Sequence, residues 1–178
     1  MTGMRRVSNE VLTATDAIVR VTAHDLVGVV ERSLRSPRKR ARFCAHRDPT
    51  DALHEMLICL AQGTYVRPHR HTGKSESFHI IEGELDVVLF HDDGAIREVV
   101  RMGSYGSGKT FFYRLALSCF HTVLVNTTFA LFHETTNGPF CAEDAEFAPW
   151  APTENTPTVA AYLDGVRMTI NHGITGAA

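Results

Sequence analysis

Short apolar segments separated by turn residues recur through the middle of the chain, and this recurrence limits the possible folds. Strands are predicted, with turns between them, over 56–61, 65–71, 77–81, 85–90, 96–102, 110–117, 121–126 and 129–134. The stretch His91-Asp92-Asp93-Gly94 is typical of a hairpin turn, because Asp-Gly accepts left-handed backbone conformations. Strands that return every 8–12 residues or so are typical of a β-sandwich or small barrel. The sequence therefore predicts a mainly all-β fold.

One helix is predicted near the N-terminus, after a loose polar tail over residues 1–17. Thr22 is suited to cap a first turn. The apolar residues that follow it recur at helical spacing: Leu26, Val29, Val30 and Leu34. Pro37 cannot continue a helix, so the predicted helix covers about 23–35, and a short strand is expected before it over 18–21.

A basic run follows this helix and contains Arg35, Arg38, Lys39, Arg40 and Arg42. Alternation of arginine with Ala41 and Phe43 predicts a half-exposed strand that closes an N-terminal segment over 18–47. The run has three interpretations: a solvated face, a site for an anionic substrate, or an anchor for the N-terminal segment. The barrel is expected over 48–140. A C-terminal wrap over 141–178 is expected to hold one short helical turn at 160–163.

Composition and charge exclude several classes of function. The net charge of -2 gives no reason to expect nucleic-acid binding. No stretch approaches the roughly 18 apolar residues of a membrane span, and the N-terminus lacks the apolar core of a signal peptide. The four cysteines form no Cys-x-x-Cys pair, which argues against a zinc finger. A reducing, cytoplasmic location is the expectation.

Histidines cluster in the stretch GTYVRPHRHTGKSESFHIIEG, which runs from Gly63 to Gly83. On a strand, His69 and His71 point the same way, and a short loop returns the chain to Glu76. His121 begins a later strand and supplies a fourth ligand if the sheet closes on itself. Three imidazoles and one carboxylate suit Fe, Mn, Ni, Zn or Co. An isolated His-x-His is weak evidence, and packing histidines are the alternative.

The spacing from Gly63 through His69, His71 and Glu76 to Gly83 resembles the first motif of the cupin superfamily. The stretches SPRKRAR, YVRPHRH, ESFHIIEGEL, HDDG and FAPWAP, within residues 18–165, together resemble the WbuC-type cupin family. That family is similar to metal-binding single-domain cupins and is associated with bacterial surface-polysaccharide gene sets. The resemblance implies a double-stranded β-helix, a jelly-roll barrel with an N-terminal helix and one divalent metal at its centre. It carries over His69, His71 and Glu76 as ligands.

The second cupin motif places the last ligand at His121, and the sequence departs from that motif around it. Thr110 stands for the leading glycine, Ala116 for the usual proline and Ser118 for the usual glycine. Val125 stands where asparagine is usual. These departures concern the turn before His121 more than the ligand itself.

Three further residues are candidates for the chemistry of the site. Arg67 and Phe78 share strand parity with the ligands, so both are candidate substrate-binding residues, although Arg67 equally suits an ion pair at the rim. Glu134 ends a strand at a position that resembles a recurrent glutamate of the family, and it is a candidate proton carrier or a loop anchor.

The other histidines considered are interpreted as structural or surface residues: His54, His79, His91 and His133. Gly103-x4-Gly108-Lys109-Thr110 has a phosphate-loop pattern, but a strand is predicted after it.

Two kinds of function fit these residues. The first is a metal-dependent enzyme, an isomerase, epimerase or dioxygenase acting on a small polar molecule such as a sugar derivative. The second is a non-catalytic module that binds a metal and a small carbohydrate or anionic ligand. Exposed sheet edges favour a homodimer as the assembly.

Overall fold

The computed structural model describes residues 3–173, except for the side chain of Ala142. In chain order its elements are β1 (Met4–Arg6), β2 (Val11–Ala14), α1 (Ala23–Arg35), β3 (Arg40–Cys44), β4 (Leu53–Ala61), β5 (His69–His71), β6 (Glu76–Glu82), β7 (Glu84–Phe90), β8 (Ile96–Gly103), β9 (Phe112–Leu115), β10 (Phe120–Val125), β11 (Phe129–Asn137), β12 (Ala145–Phe147) and α2 (Thr158–Asn171). Neither helix has the length and apolar composition needed to cross a membrane.

The strands form two sheets whose pairing is nested rather than sequential. The first sheet has the order β1-β2-β3-β4-β11-β6-β9, and the second has the order β12-β5-β10-β7-β8. In the first, β11 lies antiparallel between β4 and β6; in the second, β10 lies antiparallel between β5 and β7. Strands from distant parts of the chain thus alternate in both sheets, as in a jelly roll. The predicted fold, a double-stranded β-helix with an N-terminal helix, is confirmed.

The inner faces of the two sheets form the main core. Strand alternation places Phe78 and Ile80 of β6 and Phe132 of β11 inward from the first sheet. Val87 of β7 and Val123 of β10 meet them from the second sheet. The opposite faces of both sheets are also buried, because a helix covers each of them.

Helix α1 covers the outer face of the first sheet and matches the predicted helix. The Asp25 carboxylate accepts a hydrogen bond of 2.8 Å from the Thr22 backbone N–H, which satisfies a donor at the helix start. Leu26 and Val29 are buried against Phe43 and other apolar residues of the sheet. The helix ends at Arg35, two residues before Pro37.

Helix α2 covers the outer face of the second sheet, with Val166 and Ile170 buried against Val88 and Leu124. The prediction of one helical turn at 160–163 is therefore wrong, since the helix spans Thr158–Asn171. Glycine, threonine and asparagine weaken its intrinsic helix propensity, so burial of one face stabilises it instead.

The N-terminal predictions are wrong in two places. The expected loose tail over 1–17 contains β1 and β2, and β2 runs parallel to β3 with Leu12 and Ala14 buried. The expected strand over 18–21 is irregular instead. The polar sequence over 1–17 did not predict β2, because β2 pairs with β3, a parallel strand outside that segment. The sheets also extend beyond the predicted barrel limits of 48–140, since β3 and β12 pair within them.

Two arginines of the basic run fasten the N-terminal segment to the C-terminal one. Arg38 pairs with Glu10 at 3.2 Å and with Glu154 at 2.9 Å, and Arg40 pairs with Glu154 at 2.7 Å. The carboxylate of Glu10 also accepts a 2.8 Å hydrogen bond from Ser36. These contacts fit the interpretation of the run as an anchor, at least for Arg38 and Arg40.

Candidate metal centre

Three histidines of the second sheet project from its inner face. His69 and His71 lie two residues apart on β5, so their side chains point to the same side. His121 on β10 lies directly opposite His69 in the strand register and shares that face. The departures at Ala116 and Ser118 leave β10 in place, since the strand begins at Phe120.

The three imidazoles are close enough to bind one ion. One ring nitrogen from each lies within 4.8 Å of the other two, and His121 is almost fully buried. The ring centroids of His69 and His121 are 4.6 Å apart, and those of His69 and His71 are 4.9 Å apart. Small side-chain rotations suffice to bring three such nitrogens to the distance of about 2.1 Å typical of a transition-metal ligand.

Backbone carbonyls orient two of these rings. The Nδ1 of His69 lies 2.9 Å from the Arg67 carbonyl, and the Nδ1 of His121 lies 3.0 Å from the Cys119 carbonyl. A carbonyl oxygen can only accept, so each Nδ1 carries a proton and donates it. The Nε2 atoms of both rings therefore face the centre, which is the arrangement that metal-binding histidines require.

Glu76 reaches the same point from the first sheet. Its Oε1 lies 2.8 Å from His121 Nε2, and its Oε2 lies 3.7 Å from His71 Nε2. The side chain is only 5% exposed, and among the described residues Oε1 has no possible hydrogen-bond donor except His121 Nε2. A carboxylate oxygen and an unprotonated nitrogen repel each other at 2.8 Å, so a proton or a metal cation is needed between them. These residues thus fit a divalent metal ion.

Protonation in the absence of metal follows from burial and from Glu76. Burial lowers the pKa of His69 to about 4 and also lowers the pKa of His71, so both rings are neutral near pH 7. Burial disfavours a charged His121 too, but the Glu76 carboxylate outweighs it and raises the pKa of His121. Conversely, burial favours a neutral Glu76, and the charge of His121 outweighs it and lowers the pKa of Glu76. In the metal-free protein the centre therefore holds one proton between His121 and Glu76, at the position where a metal cation fits.

Glycines at both ends of the ligand segment make its turns possible. Gly63 and Gly83 each have a φ of +80°, which side chains with a Cβ rarely adopt. A Cβ on Gly83 would also collide with the backbone oxygen of Phe129. The turn at Gly83 joins the two sheets, because β6 belongs to the first and β7 to the second.

Glu134 lies on the inner face of the first sheet, next to the centre. It is paired in register with Phe78 of β6 and shares the parity of the buried Phe132. Burial and the nearby charge of Glu76 raise the pKa of Glu134 to about 8. The structure therefore places a half-buried, protonated carboxylic acid near the ligands.

The two candidate substrate-binding residues occupy different positions. Phe78 is buried on the inner face, with its ring centroid 5.0 Å from that of Phe132. Arg67 lies at the rim, where its guanidinium donates a 3.1 Å hydrogen bond to the Ala148 carbonyl and stacks 5.1 Å above the Phe147 ring. Phe147 in turn pairs with His69 across β12 and β5. Arg67 thus holds the C-terminal segment beside the centre.

Sequence reasoning missed two inward-facing groups. Tyr113 of β9 is buried, and its hydroxyl has no hydrogen-bond partner among the described residues. Its ring lies 5.9 Å from that of Phe78. His46 stacks on His54 at 4.0 Å, and His54 shares a register row with Thr136 and Glu76. The alternation of Phe112, Tyr113, Arg114 and Leu115 carried the signal for Tyr113.

Comparison of the sequence with known families gives one partial match. Residues 21–102 match a family described as a domain of unknown function, DUF6016. This match covers just under half of the chain and ends before His121. No curated protein matches the sequence.

Solved structures resemble the chain in fold. A protein from Shewanella oneidensis is 16% identical with a TM-score of 0.50, and the match covers 60% of this chain and 72% of that one. A cupin domain from Schizosaccharomyces pombe is 11% identical, with a TM-score of 0.43 and coverage of 56% and 64%. The capsular polysaccharide assembling protein CapF from Staphylococcus aureus is 16% identical, with a TM-score of 0.46 and coverage of 61% of this chain but only 28% of its own. The likeness to the Shewanella oneidensis protein concerns the fold alone and agrees with the two-sheet jelly-roll topology.

Proposed function

We propose that this chain is a metal-binding cupin protein that holds one divalent transition-metal ion and presents it to a small polar ligand. The observation that carries the proposal is the 2.8 Å approach of Glu76 Oε1 to His121 Nε2. A proton lies between these two buried groups in the metal-free protein, and a divalent cation can take its place. His69 and His71, both neutral near pH 7, complete a set of three nitrogens and one carboxylate. Iron, manganese, nickel and zinc all suit this donor set.

Elemental analysis of the protein purified without added metal tests the proposal. We expect about one divalent ion per chain in the wild-type protein, since each barrel contains one such centre. The His69→Ala/His121→Ala double variant is expected to contain almost none. His79→Ala is the matched control, because His79 is an exposed histidine on the outer face of β6. Equal metal content in all three proteins, or none in any of them after reloading, would rule out a site at this centre.

The arrangement also suits catalysis. A bound ion supplies Lewis-acid polarisation of a ligand oxygen. Glu134 can deliver or accept a proton beside that oxygen, since its raised pKa, about 8, keeps a proton available near neutral pH. Phe78 forms an apolar wall below the ligand, and Arg67 fixes the rim. An isomerase, epimerase or dioxygenase reaction is compatible with these roles.

A non-catalytic metal and ligand carrier is the second candidate. Among the residues that the structure describes, Glu134 and Glu76 are the two carboxylic acids on the inner face near the histidines. Because Glu76 is a candidate ligand, acid–base chemistry would depend on Glu134 alone. Incubation of metal-loaded protein with candidate sugar derivatives, followed by NMR, separates the two functions. Consumption of a compound supports an enzyme, and saturable binding without consumption supports a carrier.

The substrate class and location are proposed from the sequence. The motif resemblance to WbuC-type cupins supports a sugar derivative of surface-polysaccharide metabolism as the ligand. A reducing, cytoplasmic location is supported by the cysteines, because Cys44, Cys59, Cys119 and Cys141 are all free.

A homodimer through the edge of the first sheet is proposed as the assembly. Strand β9 is an edge strand, and apolar side chains are exposed on and beside it: Ile81, Tyr105, Phe111 and Phe112. An unpaired edge beside an apolar patch favours self-association.

Phe112→Glu is expected to shift the protein from dimer to monomer, because Phe112 is 52% exposed and lies in this patch. Sedimentation velocity at micromolar concentrations measures the change. Val27→Glu is the control, since Val27 is comparably exposed, at 50%, on helix α1. A wild-type protein that is monomeric at these concentrations would contradict the dimer.

A further inference from the structure

The basic run divides into paired and unpaired arginines. Arg38 and Arg40 are engaged by Glu10 and Glu154. Arg42 is exposed, and no Asp or Glu oxygen lies within ion-pairing distance of its guanidinium in residues 3–173. An arginine remains charged at any physiological pH, so this positive charge is available to a ligand.

The strand register places Arg42 on the inner face of the barrel. Arg42 of β3 is paired with Ile58 of β4, which is in turn paired with Phe132 of β11. Residues that are paired directly across neighbouring strands project from the same face of the sheet. Phe132 belongs to the core between the sheets, so Arg42 projects from the same face at the end of that row.

Glu134 connects this arginine with the metal centre. Burial is the largest cause of its raised pKa, and the charges of Glu76, Arg42 and His121 also act on it. Glu134 thus lies within electrostatic reach of Arg42 and of two metal ligands. The inner face therefore presents the Arg42 guanidinium, then the Glu134 carboxyl group, then the candidate metal site.

We propose that Arg42 binds an oxyanion, a carboxylate or a phosphate, carried by the small molecule whose other end meets the metal centre. This inference rests on the proposed metal-binding function and specifies its ligand as anionic. The planar guanidinium fits either oxyanion with two parallel hydrogen bonds. Arg42 lies in the register row of Ile80, and Glu76 lies four residues away along β6. Three strand spacings of roughly 14 Å and roughly 13 Å along the strand together separate the two backbones by about 19 Å. The arginine side chain covers part of this distance, so a ligand of a few carbon atoms covers the remainder.

Dicarboxylates of increasing length test this inference on protein loaded with Co²⁺, whose visible spectrum reports occupancy of the site. The probes are succinate, glutarate and adipate, each compared with its monoamide, and phosphoglycolate as the phosphate-bearing alternative. We expect at least one doubly charged probe to bind the wild-type protein more tightly than the corresponding monoamide. Arg42→Gln is expected to weaken this binding by about 10- to 100-fold, the range for a lost charged hydrogen bond, with unchanged Co²⁺ affinity.

Two further variants serve as controls. Arg42→Lys keeps the charge without the planar fork, so intermediate binding is expected. Arg35→Gln removes the same charge from the exposed end of α1, where Arg35 pairs only with Glu31, and it should bind probes like the wild-type protein.

The outcomes separate the inference from the function on which it rests. Unchanged probe binding by Arg42→Gln, or no preference for any doubly charged probe over its neutralised partner, would overturn the role of Arg42 while Co²⁺ binding persists. Preference for phosphoglycolate alone would support the inference with phosphate as the oxyanion. Absence of the Co²⁺ spectrum in the wild-type protein would overturn the metal function and the inference together.

Discussion

Replacement of Glu76 by glutamine is expected to weaken binding of a divalent ion by more than about 100-fold. Loss of an outer-shell partner alone costs about 10- to 100-fold in metal affinity. Among residues 3–173, Glu76 is the one carboxylate within 4 Å of a nitrogen of His69, His71 or His121. Competition with a chromophoric chelator measures the change. Glu82→Gln is the control, because Glu82 is an exposed carboxylate at the end of the same strand. An affinity within threefold or so of the wild-type value would show that Glu76 is not a ligand.

The same replacement should change the protonation of His121 in metal-free protein. Burial disfavours the charged ring, and the Glu76 carboxylate outweighs it and raises the pKa of His121. Without that carboxylate, burial dominates, so the pKa of His121 should fall below its usual range. Nitrogen NMR of the histidine side chains follows this change. An unchanged pKa of His121 in the Glu76→Gln variant would show that the Glu76 carboxylate does not raise it.

The wild-type protein is expected to lose stability at alkaline pH because of Glu134, and replacement of Glu134 by glutamine should abolish this loss. The pKa of Glu134 is raised from 4.5 to about 8, so the folded state binds its proton more tightly than the unfolded state. This contribution to stability is complete below pH 4.5 and disappears as the pH rises through about 8. We expect the metal-free wild-type protein to lose at most about 5 kcal/mol over this range from Glu134, and the variant to lose correspondingly less.

Urea unfolding in the presence of a chelator, at pH values from 5 to 9 or so, measures this effect. Glu55→Gln is the matched control, because Glu55 is a half-buried carboxylate on the opposite face of the same sheet. Parallel pH profiles for the wild-type protein and Glu134→Gln would show that Glu134 is ionised in the folded protein. Glu134 would then be a poor candidate for the proton carrier.

The candidate metal ligands could be predicted to different extents from the sequence. His69, His71 and Glu76 lie within one short segment, so strand alternation alone directs the two histidines to one side. His121 required a pairing between β5 and β10 that no local pattern specifies, and the resemblance to a cupin motif supplied it. The helix over 23–35 was predictable because its cap, apolar spacing and Pro37 are all local.

Features that depend on distant pairing could not be predicted. Strand β2 looked like part of a tail, because its partner β3 lies beyond the intervening helix. The length of α2 depends on the apolar face that the second sheet offers to Val166 and Ile170. Arg40 forms an ion pair with Glu154, whereas Arg42 forms none within residues 3–173, and this contrast depends on the position of Glu154 far along the chain.

The assembly of the candidate metal centre from strands that are distant in the sequence has a kinetic consequence. His69 and His121 come together only when β5 pairs with β10, which is a contact between distant parts of the chain. Such contacts form late, because the chain must first close a long loop. A metal ion that needs the complete centre therefore gains most of its binding energy after the folding transition state. Metal binding should therefore leave the folding rate nearly unchanged and slow unfolding. Where unfolded chains are degraded, the metal-loaded barrel should then survive longer than the metal-free barrel.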